Sequence, residues 1–276
     1  MKFKKKVKAI FSKLGFIKVN AKLEKSKLFG VELLTTVGTI RDINDKDDAW
    51  FYELSKHNSN ILDIGCNIGF MGIIAKLANP KTSLIMIDPN PLAMELTFKN
   101  MMLNKLTNYV TFINAFVGEI AGLDVKFYAL TADQSGSMFK GSAQSAASVN
   151  AFFYVQSTTL DKVCQENNFK PDFIKVDVEG AESYVLTGSK EIAIKYGPTF
   201  LVEMHSPEEM PMLKNAELVL NWCAQVNYNA FYMTTHQKLE KVEDIAHRGK
   251  CHLLLLPFNS EYPEYLKSIE QNKNLN

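Results

Sequence analysis

A glycine-containing turn after a short apolar run is the stretch of this 276-residue chain whose residue types best suit ligand binding. It has the pattern D-x-G-x-N-x-G, formed by Asp63, Gly65, Asn67 and Gly69. The apolar run before it predicts a strand, and the apolar spacing after it predicts a helix. Such a turn brings bare backbone N–H groups and the positive end of a helix to one point. The pattern therefore predicts a site for a nucleotide-like ligand with a charged end.

The asparagine in this turn bears on the kind of ligand. Asn67 occupies the position at which dinucleotide-binding proteins carry a second glycine, which admits the pyrophosphate. A side chain there narrows the approach and adds hydrogen-bond donors, which favours a smaller end-group such as the amino acid moiety of S-adenosylmethionine. Asp63, at the end of the strand, is then placed to receive the positively charged ammonium or sulfonium region.

Two later strands are predicted to end beside this turn. Asp88 follows the apolar run at 82–87, and an acid at that point can accept hydrogen bonds from both hydroxyls of a ribose. Asn114 and Ala115 close a third strand, where an adenine edge can be read. The alternative is that Asp63 and Asp88 only cap helices and bind no ligand. The regular alternation of strands and helices favours the ligand site, because parallel strands bring their carboxyl ends to one edge of a sheet.

The turn at 63–69 resembles the first motif of class I S-adenosylmethionine-dependent methyltransferases. Two further runs resemble the FkbM family of these enzymes in particular, namely the Thr-Leu-Asp run at 159–161 and the more specific I-K-V-D-V-E-G-A-E run at 174–182. The resemblance covers about residues 45–205 and implies an α/β, three-layer, Rossmann-like fold. Its sheet would be seven-stranded and mostly parallel, with the last strand antiparallel. The resemblance also implies S-adenosylmethionine as the cofactor and methyl transfer, usually to a hydroxyl oxygen of a sugar or natural product. Asp88 replaces the glutamate common in the family, but the shorter acid still reaches a ribose.

The last of these runs carries the residues expected to do the chemistry. Lys175, Asp177 and Glu179 alternate with apolar residues and therefore share one direction on a strand. Methylation of a neutral alcohol needs a general base that removes the hydroxyl proton. His205, on the following strand, titrates in a suitable range by default, so we expect it to be the better base, with Asp177 the other candidate. Glu179 and Glu182 are expected to orient the substrate or to hold Lys175.

Four alternatives stay open at this point. Methylation of nitrogen needs an acidic or aromatic clamp for the amine, which Asp177 and Glu179 could form. A non-catalytic S-adenosylmethionine-binding module is disfavoured by the intact charged strand ends, and a nicotinamide-dependent dehydrogenase is disfavoured by Asn67. Two carboxylates and a histidine could also hold a hard divalent cation. We expect no metal, because the sequence lacks a neighbouring Asp-Asn pair and the resemblance implies none.

Lysines are concentrated at the amino-terminal end of the chain. Residues 1–27 hold ten lysines and one acid, which leaves a net charge of −8 on the rest. Within residues 1–18 apolar side chains recur at helical spacing, which suits either a helix on an anionic membrane surface or a solvated basic helix packed on the domain. No nucleic-acid partner is expected, because no stacking aromatics interleave the lysines. We divide the chain into this basic segment, a methyltransferase domain at 28–258 and a polar tail at 259–276.

The composition is that of a soluble globular protein, and we expect it in the cytoplasm. Apolar residues make up 46% and charged residues 22% of the chain, and no apolar run approaches the roughly 20 residues of a membrane-spanning helix. The four cysteines form no CxxC pair, which disfavours structural zinc and a disulfide framework and suits a reducing compartment. The resemblance implies a small-molecule or glycan acceptor. We expect a cytoplasmic protein, with peripheral contact at the inner membrane face as the alternative for the basic segment.

Overall fold

The computed structural model describes residues 21–41, 46–131 and 136–269. Its strands, in chain order, are β1 (Leu23–Leu28), β2 (Val31–Thr36), β3 (Asn60–Ile64), β4 (Ser83–Asp88), β5 (Val110–Asn114), β6 (Phe116–Val117), β7 (Asp124–Tyr128), β8 (Phe152–Thr158), β9 (Phe173–Val176), β10 (Thr199–His205), β11 (Tyr228–Tyr232), β12 (Gln237–Lys238) and β13 (Lys250–Pro257). Its α-helices are α1 (Lys46–His57), α2 (Phe70–Ala78), α3 (Pro91–Leu103), α4 (Gln144–Ser148), α5 (Leu160–Glu166), α6 (Glu182–Thr187), α7 (Lys190–Tyr196) and α8 (Met212–Val226).

One large sheet organises the molecule. Its strand order is β12-β11-β13-β10-β9-β3-β4-β5, and the strands from β10 to β5 are parallel. Strand β13 runs antiparallel to both of its neighbours, β10 and β11. The predicted seven-stranded, mostly parallel sheet with an antiparallel last strand is therefore confirmed, and the two-residue strand β12 adds an eighth strand at one edge. The chain changes its direction of travel across the sheet between β3 and β9, which opens a crevice at their carboxyl ends.

Helices cover both faces of this sheet. The central strands carry apolar side chains on both sides, so that Ile61 faces one core and Leu62 the other. Helices α1, α2 and α3 pack on the first face, with Phe51 and Ile73 fully buried there. Helices α5 to α8 pack on the second face, where Trp222 is buried. Burial of both faces is typical of parallel sheets and holds the strand ends rigidly in place.

Two smaller sheets accompany the large one. Strands β1 and β2 form an antiparallel hairpin, and β6, β8 and β7 form a three-stranded sheet in that order. The hairpin was not predicted from the sequence. Its two-residue loop, Phe29-Gly30, has positive φ at both positions, whereas the familiar signal for such a loop is Asn-Gly or Asp-Gly. Phe29 stacks on Tyr52 of α1 at 4.0 Å between ring centroids, so tertiary packing supports the unusual loop residue.

The predicted chain boundaries stay predictions. Residues 1–18, expected to contact a membrane or the domain surface, lie outside the described residues. Strand β1 begins within the predicted segment 1–27, and the start of the tail packs on the fold, because Leu266 is buried and Tyr265 stacks on His57. None of the helices in the described part of the chain combines enough length and apolarity to cross a bilayer.

Candidate active site

The turn between β3 and α2 is built from residues with left-handed backbone. Gly65, Asn67 and Gly69 have φ values of 80°, 46° and 90°. A Cβ atom on Gly65 would overlap the backbone oxygen of Asp177, so only glycine fits where the ends of β3 and β9 meet. Asparagine is among the few other residues that adopt this conformation readily, which accounts for Asn67. Gly69 then provides the N-cap of α2.

Asp88 closes the turn from the neighbouring strand. Its Oδ2 accepts the N–H of Asn67 at 2.9 Å, and its Oδ1 accepts the N–H of Asn90 at 2.8 Å. Asn114 holds the same strand end, because its Nδ2 donates to the Asp88 backbone oxygen at 2.8 Å. Burial raises the pKa of Asp88 to about 6, although the two backbone hydrogen bonds oppose this shift. Each carboxylate oxygen keeps a further lone pair that can accept a ligand hydroxyl.

An apolar cavity, so called below, opens at the carboxyl ends of β3, β4 and β5. Four of the predicted cofactor residues line it, namely Gly65, Asn67, Asp88 and Ala115. Its apolar wall is formed by Phe116, Val117 and Phe127. The Oδ1 atom of Asn67 is buried and accepts no hydrogen bond from any described residue. An apolar wall, a buried carboxylate and an unsatisfied amide oxygen fit the base, the ribose and the amino group of S-adenosylmethionine, respectively.

The other three predicted cofactor residues line neither this cavity nor the polar one described below. Gly69 and Asn114 shape the turn and the strand end. Asp63 is fully buried, and its carboxylate accepts no hydrogen bond within the described residues. Burial raises the pKa of Asp63 to about 6, with the charge of Lys175 opposing the shift and that of Asp177 adding to it. Direct contact between Asp63 and a positively charged ligand group stays a prediction.

The ends of β9 and β10 bring the predicted catalytic residues together. The Lys175 ammonium lies 2.9 Å from Asp177 Oδ2. His205 Nε2 lies 3.3 Å from Glu203 Oε1, 3.7 Å from Glu179 Oε2 and 4.0 Å from Asp177 Oδ1. Burial lowers the pKa of Lys175, but the surrounding carboxylates, Asp177 foremost, raise it above its usual value. The predicted residues therefore form one ion-paired cluster, in which Lys175 is a permanent cation.

His205 is held from behind by a further carboxylate. Its Nδ1 lies 2.9 Å from Glu182 Oε1, and the fully buried Glu182 also accepts hydrogen bonds from Asn215 Nδ2 and the Gly180 N–H. Burial lowers the pKa of His205, but hydrogen bonds to Glu182 and Glu203 and the nearby negative charges raise it to about 11. This environment contradicts the expectation that His205 titrates near neutrality. A buried imidazolium has no lone pair with which to accept a proton, and His205 lines neither cavity.

We expect the His205 imidazole to stay protonated from pH 6 to pH 9 when its nitrogen chemical shifts are followed by NMR. Its raised pKa means that its contribution to folding is fully present below about pH 6.5 and declines as the pH rises toward about 11. The difference in unfolding free energy between wild type and His205→Gln should shrink in the same direction. Glu182→Gln should lower the pKa of His205, because it removes a carboxylate partner. A wild-type titration midpoint below pH 8 would contradict this assignment.

A polar cavity borders the apolar one. The two cavities share Gly65, Asn67, Asp177 and Glu179. The polar cavity is also lined by Lys175 and Glu203, and by Gly38, Thr39, Arg41 and Lys250. One cavity suited to a nucleoside therefore opens directly beside one lined by charged groups, with two carboxylates at the junction.

The sequence analysis did not single out Arg41 or Lys250. Lys250 lies opposite His205 in the antiparallel pairing of β10 with β13, and its ammonium forms an ion pair with Glu203. Arg41 follows the unpredicted hairpin and lies 3.3 Å from Asp48 Oδ1. Neither position belongs to a local pattern, because the strand register and the docking of the hairpin bring them to the site. The alternation of Glu203 with His205 was the one sequence signal pointing to this side of the cluster.

Among the residues that the structure describes, two groups of side chains offer metal-ligand atoms within 4.8 Å of one another. They are Asp177, Glu203 and His205, and Asp47, Glu203 and His252. Lys175 and Lys250 already neutralise Asp177 and Glu203, and the raised pKa of His205 makes it a cation. A divalent cation in the first group would have to displace these charges. The expectation that no metal takes part stays a prediction.

Comparison with known proteins adds a family to this geometry. The model of the Methyltransferase FkbM domain matches residues 63–229. This range contains the turn, the charged cluster and, between them in the chain, strands β4 and β5 of the large sheet. No curated protein sequence matches the chain.

Several solved structures resemble the fold at low sequence identity. A methyltransferase FkbM from Methylobacillus flagellatus KT is 14% identical with a TM-score of 0.46, and the match covers 72% of this chain and 43% of that one. TYW2 from M. jannaschii, in complex with AdoMet, is 14% identical with a TM-score of 0.46, covering 87% and 86%. An O-methyltransferase from Bacillus cereus, in complex with SAH, is 12% identical with a TM-score of 0.45, covering 78% and 81%. The chain thus matches less than half the length of the Methylobacillus protein.

Proposed function

The chain belongs to the FkbM methyltransferase family, a class of S-adenosylmethionine-dependent enzymes, and from this premise we propose that it methylates a hydroxyl oxygen of a sugar, a glycan or a related polar molecule. The apolar cavity is the proposed donor site, and the polar cavity is the proposed acceptor site. The observation that carries the proposal is the junction of the two cavities at Asp177 and Glu179. A carboxylate at that junction can reach a hydroxyl in one cavity while a methyl donor occupies the other.

The residues at the junction have distinct proposed roles. S-adenosylmethionine supplies a methyl group on a sulfonium, and its transfer to oxygen requires the acceptor to be held close and in line. Asp177 accepts the hydroxyl proton, because Lys175 occupies its Oδ2 and leaves Oδ1 for the acceptor. Glu179 and Lys175 orient the acceptor. His205 holds the carboxylates of Asp177, Glu179 and Glu203 in place from behind.

Transfer of a labelled methyl group to a panel of acceptors tests the proposal. The panel contains sugars and glycans with free hydroxyls, and matched amino sugars in which one hydroxyl is replaced by an amine. We expect label on the hydroxyl compounds, and the label should be stable to conditions that cleave esters. Tight binding of NAD without binding of the methyl donor would overturn the proposal.

Methylation of an amine is the second candidate function. Three carboxylates, those of Asp177, Glu179 and Glu203, line the polar cavity and could clamp a protonated amine. Lys175 and Lys250 line the same cavity and repel such a group, which favours the hydroxyl acceptor. Label found only on the amino sugars would establish the second candidate in place of the first.

We expect Asp88→Ala to weaken binding of S-adenosylhomocysteine about 100-fold, or about 2.7 kcal/mol. Hydrogen bonds to a charged group contribute about 1.5–3 kcal/mol each. The substitution removes the predicted ribose contacts together with the hydrogen bonds from Asn67 in the turn and from Asn90 before α3. Isothermal titration calorimetry measures the change. Asp88→Glu is the matched control, since it restores the acid common in the family, and it should stay within tenfold of wild type. Binding by Asp88→Ala within threefold of wild type would remove Asp88 from the donor site.

A further inference from the structure

Helix α3 presents a polar stripe to two parts of the site. Thr97, Asn100 and Asn104 recur at helical spacing and therefore share one face. The Thr97 hydroxyl donates to the backbone oxygen of Asn67, in the turn that borders both cavities. Further along the same face, Asn104 bonds to the hairpin β1–β2. The stripe therefore runs from the proposed donor turn to the hairpin.

Asn100, in the middle of this stripe, forms hydrogen bonds both with the turn and with the segment that follows the hairpin. It is fully buried. Its Nδ2 donates to the backbone oxygen of Ile68 at 2.9 Å, within the turn, and to Thr39 Oγ1 at 3.0 Å. Its Oδ1 accepts the N–H of Thr36, the last residue of β2, at 2.8 Å. One side chain thus joins the turn to the segment that leaves the hairpin.

The segment that leaves the hairpin forms a wall of the polar cavity. Gly38, Thr39 and Arg41 line that cavity on the side formed by neither the turn nor the strands of the large sheet. The Thr39 side chain also forms hydrogen bonds with Thr36. Its Oγ1 pairs with Thr36 Oγ1 and donates to the Thr36 backbone oxygen. We call residues 38–41 the acceptor wall. The contacts of Asn100 link it to the turn through hydrogen bonds, beside the packing of Arg41 over the Phe70 ring at 5.3 Å.

We propose that Asn100 is a positioning residue that couples the donor turn to the acceptor wall. Binding of the methyl donor thereby reduces the backbone mobility of the wall before the acceptor enters. The inference rests on the proposed function, because it assigns the two cavities to donor and acceptor. Its physical basis is that the same amide bonds Ile68 and Thr39 through one nitrogen. A donor that restrains the turn restrains this amide, and the amide in turn restrains the wall.

Asn104 provides the matched control. Its side chain forms two hydrogen bonds with the backbone of Leu34. Asn104 Oδ1 accepts the Leu34 N–H and Asn104 Nδ2 donates to the Leu34 oxygen, each at 2.9 Å. Among the described residues the remaining hydrogen bond of this side chain is to the backbone oxygen of Asn100 within the helix, so it holds the hairpin without touching the turn. Asn100→Ala and Asn104→Ala should both loosen the hairpin, but only Asn100→Ala should break the coupling.

Hydrogen–deuterium exchange of the full chain, with and without saturating S-adenosylhomocysteine, tests the proposal. In wild type we expect the ligand to slow exchange of the amides at 36–41 at least fivefold. Asn104→Ala should exchange faster without ligand but keep this ligand-dependent protection, whereas Asn100→Ala should lose it. Equal protection in Asn100→Ala and wild type would overturn the proposal. So would bound ligand that leaves exchange at 36–41 unchanged in wild type.

A second variant keeps the test decisive if Asn100→Ala does not fold. Thr39→Val removes the hydroxyl that accepts from Asn100 and leaves the contact of Asn100 with Ile68 in place. It should lose more than half of the ligand-dependent protection, and full protection in this variant would also overturn the proposal. Calorimetry on each protein distinguishes failure of the proposed function from failure of the proposed coupling. Absence of S-adenosylhomocysteine binding in wild type refutes the proposed function itself, whereas binding without protection refutes only the coupling.

Discussion

Gly65→Ala is expected to abolish donor binding and to lower the free energy of unfolding by about 3 kcal/mol or more. The new Cβ would overlap the backbone oxygen of Asp177, at the point where the Asp177 N–H bonds the Ile64 oxygen at 3.0 Å. Relief of this overlap requires the ends of β3 and β9 to separate. The backbone of Gly65 also has a φ of 80°, which adds about 1–2 kcal/mol for a residue with a side chain. The turn and the proposed base would therefore be displaced together.

Gly122→Ala separates the two contributions to this effect. Gly122 has a φ of 84°, close to that of Gly65, but a Cβ there meets no atom within 4 Å. We expect this control to lose about 1–2 kcal/mol and to keep donor binding. Denaturant unfolding and calorimetric titration with S-adenosylhomocysteine measure both quantities. Equal losses in the two variants would show that backbone conformation alone, and not contact with Asp177, constrains the turn.

Asp177→Asn is expected to reduce kcat about a thousandfold while donor affinity stays within about threefold of wild type, since a general base contributes roughly 10²–10⁴ to a rate. The substituted amide keeps the shape of the side chain but cannot take the hydroxyl proton. The measurement is methyl transfer to the best acceptor of the panel, with the donor dissociation constant determined in parallel. Circular dichroism checks folding, because Lys175 is almost fully buried and loses its nearest carboxylate.

Glu179→Gln is the comparison variant for Asp177. Glu179 also lines both cavities, but its proposed role is to orient the acceptor, so its loss should raise KM more than it lowers kcat. Turnover by Asp177→Asn within tenfold of wild type would remove the general-base assignment. Loss of kcat in Glu179→Gln with turnover retained in Asp177→Asn would exchange the two roles.

Local sequence determined the framework of the site. The D-x-G-x-N-x-G pattern predicts a turn between a strand and a helix, and the structure has this turn, with positive φ at Gly65, Asn67 and Gly69. Asn90 followed by proline predicts the start of α3, and the Asn90 side chain does accept the Leu92 N–H there. Apolar runs predicted the strands of the large sheet other than β12, and placed Asp88 and Asp177 near one edge. These features depend on neighbouring residues, whose backbone preferences and periodicity are legible in the sequence.

Other local patterns were overruled by packing. The Ser/Ala-rich run 141–148 is low in apolar bulk, which predicts a surface loop. It contains the short helix α4 instead, and Ala146 of this helix packs in a small buried cluster with Tyr128 and Ala143. Phe29-Gly30 forms a hairpin loop without the usual loop residues, because the Phe29 ring stacks on α1. In both places the stabilising contact is with a residue distant in sequence, so no local pattern could indicate it.

The chemical state of the site was decided only by the tertiary structure. The sequence by itself determined the family, the turn, the acid on β4 and the alternating charges that include Asp177. It also offered His205 as a base on the strength of its ordinary pKa. Folding brings the carboxylates of Glu179 and Glu182 to this imidazole beside Glu203 of its own strand and raises its pKa to about 11, because Coulomb interactions depend on distance in space and on burial. The same long-range assembly brings Arg41, Lys250 and Asn100 to a site that their positions in the chain do not indicate.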